Sequence, residues 1–361
     1  MENKKEMTAF VSSVGVDERQ PLNVSDNSIS EKAGKINDLE TISMTELYDT
    51  VYPSKPPLID GLLYTGTYLF VGAPKLGKSF LMAQLAYHIS TGIPLWNYTV
   101  RKGTVLYLAL EDDYRRLQER LYRMFGSDST DNLFFAVSAD SLGNGLDAQL
   151  QRFMQEHTDT SLIIIDTLQK VREVGGDNYS YANDYEVITR LKQFADRYGI
   201  CILLVHHTRK QTADDRFDMI SGTTGLLGAA DGAFLLQKEK RTSNAATLEV
   251  SGRDQQDQKL YLIRNPETLL WELQKTEAEL WKEPPEPLLE KISEIFSSGS
   301  TEWSGTATEL CRCLEVDCFP NALTRKLNVN AGRLYNEYGI CYENSRSRSE
   351  RTIRLVRLPQ A

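Results

Sequence analysis

The sequence predicts an α/β fold, a mostly parallel sheet wound by helices, followed by a small helical unit that ends in a β-hairpin. Three observations carry that prediction. Between residues 67 and 272, short continuous apolar runs alternate with helix-length segments, the rhythm of strands buried on both faces and joined by crossover helices. The first apolar run leads into Gly72-Ala73-Pro74-Lys75-Leu76-Gly77-Lys78-Ser79, a glycine-bearing turn with a helical pattern directly behind it. Further on, Lys282-Glu283-Pro284-Pro285-Glu286-Pro287 reads as a linker by composition.

Taken in order, residues 1–50 are polar, with scattered Ser, Asn, Asp and Glu. They read as a mostly disordered tail in which residues 36–47 form one short helix, or as a segment that docks a partner. Pro53, Pro56 and Pro57 punctuate the entry into folded structure. Strands are expected at residues 67–71, 104–110, 133–137, 162–165, 200–205 and 233–236, and those at 247–251 and 259–263 extend the sheet. Helices are expected at 79–90, 114–125, 147–156 and 185–197. The α/β region is assigned to residues 51–275, the linker to 276–287 and the last unit to 288–361. In that unit helices are expected at 288–296, from Trp303 or Thr306 to 314, and at 320–335 with one break, with strands at 339–342 and 352–358. Three helices and a hairpin make a winged-helix pattern.

The formal net charge of −9 over 361 residues gives no global basic field. Nucleic-acid binding would then need a local patch or a channel. No stretch approaches the roughly 18 apolar residues of a membrane span, and residues 1–10 lack the apolar core of a secretory signal. Five cysteines make an odd count; Cys311, Cys313 and Cys318 cluster without a Cys-x-x-Cys pair and are read as buried free thiols of a cytoplasmic protein, not as a zinc site.

The turn at residues 72–79 fits the GxxxxGK[ST] pattern of a P-loop, Gly72, Ala73, Pro74, Lys75, Leu76, Gly77, Lys78 and Ser79 cradling phosphates through backbone N–H groups. Lys78 is expected on the β- and γ-phosphates of ATP and Ser79 on Mg²⁺. A second metal-orienting carboxylate is expected at a strand end, and Leu162-Ile163-Ile164-Ile165-Asp166 supplies it. Asp166 is assigned to the Mg²⁺ shell through water. Glu111, at the end of the run 105–110, is the expected general base for the attacking water. Its neighbours Asp112 and Asp113 have a simpler explanation as first-turn residues of the next helix.

The P-loop, Leu110-Glu111-Asp112, Ile165-Asp166-Thr167 and Val205-His206-His207-Thr208-Arg209-Lys210 together resemble the RecA-like ATPases of the RepA type. These are hexameric helicases of plasmids and mobile elements, related to the DnaB replicative helicases, and the resemblance spans residues 60–270. It implies that His206 occupies the position of a γ-phosphate sensor, usually Gln in the DnaB group, with His207 sharing or replacing it. It also implies that Arg253 is an arginine finger completing a neighbour's site, so that the chain assembles with itself, a hexameric ring being favoured. The alternative for Arg253 is a surface turn. Two loops, residues 172–183 and 209–222, would line the channel; they hold Tyr179, Tyr181, Arg209, Lys210 and Arg216 for single-stranded DNA.

Residues 319–361 carry eight Lys and Arg against three acids, a local excess of five positive charges. Arg325 and Lys326 on the recognition helix, with Arg346 and Arg348 on the wing, are the candidates for duplex phosphates; a protein contact is the alternative. The expected function is an ATP-dependent, ring-forming DNA helicase or translocase of a plasmid, phage or mobile element. A nucleotide-switched DNA-binding assembly protein and a RecA-like recombination or signalling ATPase are the rivals.

Overall fold

The computed structural model describes residues 41–52, 56–172, 181–208, 224–238, 240, 242–253, 255–278, 286–296, 300–346 and 351–358, with the backbone alone at residues 181–183, 224, 225, 346 and 351. The chain divides into two compact units, residues 1–47 and 48–361. The first contributes only residues 41–47 to the described part. Helix α1 (Met44–Asp49) begins there, and Ser43 and Glu46 cap it reciprocally: Ser43 donates from N and Oγ to Glu46 Oε2, at 2.9 and 2.8 Å, and Glu46 N donates to Ser43 Oγ. Of the helix expected at 36–47, residues 36–40 lie outside the described residues.

The second unit is built on a sheet with nine strands among the described residues, in the order β3-β2-β4-β5-β1-β6-β7-β8-β9. The strands are β1 (Gly66–Gly72), β2 (Thr104–Ala109), β3 (Leu133–Ala136), β4 (Thr160–Asp166), β5 (Cys201–His207), β6 (Gly232–Gln237), β7 (Ala245–Gly252), β8 (Gln258–Arg264) and β9 (Trp271–Ala278). The first six run parallel and the last three continue as an antiparallel meander. Helices α2 (Lys78–Thr91) and α3 (Tyr114–Phe125) pack on one face; α4 (Leu146–Glu156), α5 (Leu168–Val171), α6 (Tyr181–Tyr198) and α7 (Thr224–Ala229) pack on the other. Both β1 and β4 are buried at every residue, because helices cover both faces; that is why their sequences are continuous apolar runs. Strand β7 has one uncovered face, so Ala246, Leu248 and Val250 turn inward and the residues between them do not.

Sequence patterning missed β9. Trp271 and Leu273 join the core, whereas the rest of the strand reads as a polar segment. Its pairing with β8 fixes it at the sheet edge.

A separate apolar cluster lies among the last elements, α8 (Pro287–Ile295), β10 (Glu302–Gly305), α9 (Ala307–Cys313), α10 (Pro320–Tyr338), β11 (Ile340–Arg346) and β12 (Arg351–Arg357). The strands form a three-stranded antiparallel sheet in the order β10-β12-β11. Two expectations need correction. Trp303 lies in a strand, and α9 starts only after Thr306, which caps it in a box with Glu309. Helix α10 runs unbroken to Tyr338; within it Asn328 is buried, its amide donating to Tyr48 O at 2.8 Å and its carbonyl accepting from Tyr342 Oη at 2.8 Å. Among the described residues, no helix is long and apolar enough to cross a membrane.

Candidate nucleotide-binding and catalytic site

Strand β1 delivers the chain into the turn at residues 72–77, and α2 begins at Lys78. Gly72 sits so close to β6 that a Cβ there would fall 2.7 Å from Leu236 O. Gly77 has φ +99° and caps α2 without a side-chain hydrogen bond. The first N–H groups of α2 therefore receive nothing from the cap and point into the turn, the arrangement that receives phosphate oxygens. Lys78 is buried, and its Nζ donates to Gly72 O at 2.8 Å and Ala73 O at 3.1 Å. Burial lowers its pKa to about 8, against the opposing pull of Asp166 and Glu111.

Asp166 ends β4 on the same face as α2. It accepts from the Tyr107 hydroxyl at 2.9 Å and from the Ser79 hydroxyl. Burial raises its carboxyl pKa, while those two hydrogen bonds pull it down. The three carboxylates after β2 separate cleanly. Asp113 caps α3 by accepting from Arg116 N at 2.9 Å. Asp112 is paired with Arg120 at 2.7 Å and with Arg116 at 3.5 Å. Glu111 turns toward the end of β4, where Thr167 Oγ1 donates to it at 3.1 Å, and it is close enough to Lys78 and Asp166 to perturb both.

Strand alternation divides the two histidines. His207 follows the parity of Cys201, Leu203 and Val205 and emerges on the α2 face, with its Nδ1 3.1 Å from Lys78 Nζ. An ammonium has only protons to give, so Nδ1 is the unprotonated nitrogen. Burial first, then Lys78, lowers the His207 pKa. His206 has the opposite parity and is buried. Of the two, His207 is the one the structure brings to the P-loop.

Arg253 follows the end of β7. Gly252 pairs with Gly232, and Gly232 pairs with Tyr68 near the start of β1. Arg253 is thus at the end of the sheet opposite its own P-loop. It is exposed, its N donates to Asp231 O and its Nη2 to Gly228 O, each at 2.8 Å.

A family model described as an AAA domain (AAA_25) matches residues 31–213, just over half of the chain. The chain belongs to the AAA domain family. In this AAA domain β5 lies between the P-loop strand β1 and the Asp166 strand β4, within the mostly parallel α/β sheet expected from the sequence. No curated protein matches the sequence. Among solved structures, the chain is similar to an ATPase domain at 14% identity and TM-score 0.49, covering 58% of this chain and 85% of that one. It is similar to a DnaB-like replicative helicase solved with attention to its interactions with primase, at 15% identity and TM-score 0.48, covering 63% and 66%. A KaiC-like protein from the hyperthermophilic archaeon Pyrococcus horikoshii OT3 aligns at 15% identity and TM-score 0.44, covering 62% and 99%.

The remaining candidates of this AAA-domain chain do not gather at the P-loop. Arg209, Lys210, Arg216 and Arg348 lie outside the described residues, and Arg346 has its backbone alone described, in β11. Arg325 and Lys326 lie on α10 and are ion-paired, Arg325 with Asp49 at 3.5 Å and Lys326 with Glu286 at 3.4 Å. Arg333 pairs with Glu337, and Arg354 with both Glu302 and Glu343. Three of these acids, Asp49, Glu286 and Glu302, come from outside the window that counted five excess positive charges.

Several residues that sequence reasoning passed over hold the site in place. Tyr107 orients Asp166 and Thr167 orients Glu111. Gln84 of α2 grips the backbone of Trp271 in both directions, Nε2 to O at 2.9 Å and Oε1 from N at 2.8 Å. The Trp271 indole in turn donates to Gly77 O at 3.4 Å. Tyr107 lies in the strand that leads to the candidate base Glu111, a local signal; the Gln84–Trp271 bracket joins residues 187 apart and left none.

Proposed function

We propose that the chain is an ATP-dependent, ring-forming DNA helicase or translocase serving the replication of a plasmid, phage or other mobile element. The observation that carries this reading is the division of the candidate catalytic side chains between the ends of one sheet. Lys78, Ser79, Asp166, Glu111 and His207 gather at one end and Arg253 stands at the other. An arginine there has no route to its own nucleotide and is available to a neighbouring copy, which supports a closed ring with sites shared between subunits, a hexamer being favoured.

In this reading ATP lays its phosphates in the loop 72–79. Ser79 and Asp166, two hard oxygen donors already facing one another, would hold Mg²⁺ beside the phosphates, with Asp166 acting through water. When bound, the ion supplies positive charge to the phosphate oxygens. Glu111 takes a proton from the attacking water. His207 shares Lys78 and reports the state of the γ-phosphate to the segment after β5. Arg209, Lys210 and Arg216 in that segment contact single-stranded DNA.

The last unit is proposed as a winged helix that meets duplex DNA through Arg325, Lys326, Arg346 and Arg348. The ion pairs on α10 favour a second reading of that unit, as a protein contact in an assembly ATPase that does not unwind. Strand displacement on a forked duplex decides between them. The helicase reading expects ATP-dependent release of one strand, lost in Lys78→Ala. ATP-stimulated DNA binding without displacement supports the assembly protein, and filaments instead of rings in electron micrographs support a recombination-type ATPase.

A further inference from the structure

The antiparallel part of the sheet brings a second set of cations to the P-loop. β6 runs parallel to β1, so Lys238, just beyond its end, lies at the P-loop end of the sheet. β8 returns in the same sense and ends at Arg264, paired with Trp271 at the start of β9. Arg264 reaches Gly77 itself: a Cβ on Gly77 would stand 3.4 Å from an Arg264 Nη and 3.3 Å from the Trp271 ring. Its guanidinium lies 4.1 Å from the centre of the Phe80 ring, and Lys238 Nζ lies 5.3 Å from the centre of the Trp271 ring.

The surroundings are cationic. Arg120 lies over the same Phe80 ring at 5.0 Å and is neutralised by Asp112. Arg123 spends its guanidinium on the carbonyls of Pro266 and Glu267, at 2.8 Å each. Arg264 gives its Nε to Leu269 O at 3.4 Å, and neither it nor Lys238 has a carboxylate at ion-pair distance among the described residues. Burial and the neighbouring arginines work against the Arg264 charge. Stacking on Phe80 compensates one face of the guanidinium, leaving its N–H edge for an anion.

We propose that Arg264 and Lys238 form an anion clamp, contributed by the same chain as the P-loop, that grips the nucleotide's phosphate nearest the nucleoside. Phe80 follows Ser79 in the first turn of α2, beside the loop whose backbone N–H groups cradle the α- and β-phosphates, whereas Lys78 reaches toward the β- and γ-phosphates. The clamp rests on the reading of residues 72–79 as a nucleotide site. It assigns to β8 and β9 a role in binding besides extending the sheet.

Competition binding to the full chain tests it, using a fluorescent ADP analogue displaced by ADP, ATP and inorganic tripolyphosphate. Arg264→Gln is expected to weaken all three by on the order of tenfold or more, and Lys238→Gln by several-fold. The thermal midpoint of each variant is read alongside; should Arg264→Gln fail to fold, Lys238→Gln carries the test. Unchanged affinities overturn the clamp. So does a loss confined to ADP and ATP with tripolyphosphate unaffected, because that outcome marks a contact to the base or sugar. A wild-type chain that binds none of the probes, or a Lys78→Ala chain that binds them all normally, sinks the nucleotide-site reading instead and is told apart from failure of the clamp.

Discussion

Lys78, the first residue of α2, and His207, the last residue of β5, meet with Nζ 3.1 Å from Nδ1. The contact holds a buried ammonium whose pKa is lowered to about 8 from 10.5. Between those values the unfolded chain binds more protons than the folded one, so this group makes stability rise with pH across the window from about 8 to 10.5. Phosphates act in the opposite direction, since they favour the charged lysine. Nucleotide affinity is therefore expected to fall as pH climbs through 8, with proton uptake on binding. Calorimetry in buffers of different ionisation enthalpy reads that uptake. Lys78→Arg, which stays protonated, should lose the pH slope whatever its absolute affinity; an identical slope in both proteins removes Lys78 as its source.

The two histidines predict opposite phenotypes. His207→Ala should lower ATP turnover with little change in thermal midpoint, because the side chain is half-buried beside Lys78. His206→Ala should cost about 1–3 kcal/mol of stability, because it empties a buried position. Turnover lost only in His206→Ala, at unchanged stability, would return the sensor role to that residue.

Glu111→Gln should keep nucleotide binding and lower turnover by about 100-fold or more. Asp112→Asn should act through stability, since it strips Arg120 and Arg116 of their carboxylate. The measurement pairs single-turnover hydrolysis with nucleotide affinity. A hydrolysis defect in Asp112→Asn with Glu111→Gln active would reverse the assignment.

What was legible in the sequence follows from range. The parallel strands announced themselves because burial on both faces demands uninterrupted apolar runs, as in β1 and β4. Lys78 and Asp166 were readable because the P-loop and the apolar run ending in aspartate are local patterns. β10 is four residues long and is defined by pairing with β12 some fifty residues later, so nothing local marks it. Nothing local showed that Asn328 is held inside α10, because its partners, Tyr48 and Tyr342, are supplied by other elements. Arg264 carried no motif; only the topology of β8 brings it to Gly77. The charge count over residues 319–361 could not include Asp49, Glu286 and Glu302, which pair with Arg325, Lys326 and Arg354 from elsewhere in the chain.

Those ion pairs make the DNA reading of α10 testable by addition. If Arg325 and Lys326 meet duplex phosphates, Asp49 and Glu286 compete with the DNA. The double variant Asp49→Asn, Glu286→Gln is expected to tighten duplex binding several-fold and steepen its salt dependence. Unchanged affinity and slope over a salt titration would leave α10 as a protein-contact surface, with Val329 and Tyr335 exposed on it and Phe319 exposed at its N-cap.

Arg253 offers the test of assembly, because its place at the far end of the sheet makes a contribution within its own subunit geometrically implausible. Arg253→Ala alone should bind nucleotide and hydrolyse it slowly. Lys78→Ala alone should not hydrolyse, but it keeps its arginine. Mixed, the two should recover partial activity, since a ring then sets an intact P-loop of one variant beside an intact arginine of the other. The bond from Arg253 to Gly228 O gives the competing account, in which the arginine only ties β7 to α7. That account expects Arg253→Ala to lose thermal stability and keep its turnover per folded molecule. Full activity of the single variant, or no recovery in mixed oligomers verified by tagged pull-down, would remove the shared site and with it the main support for a ring.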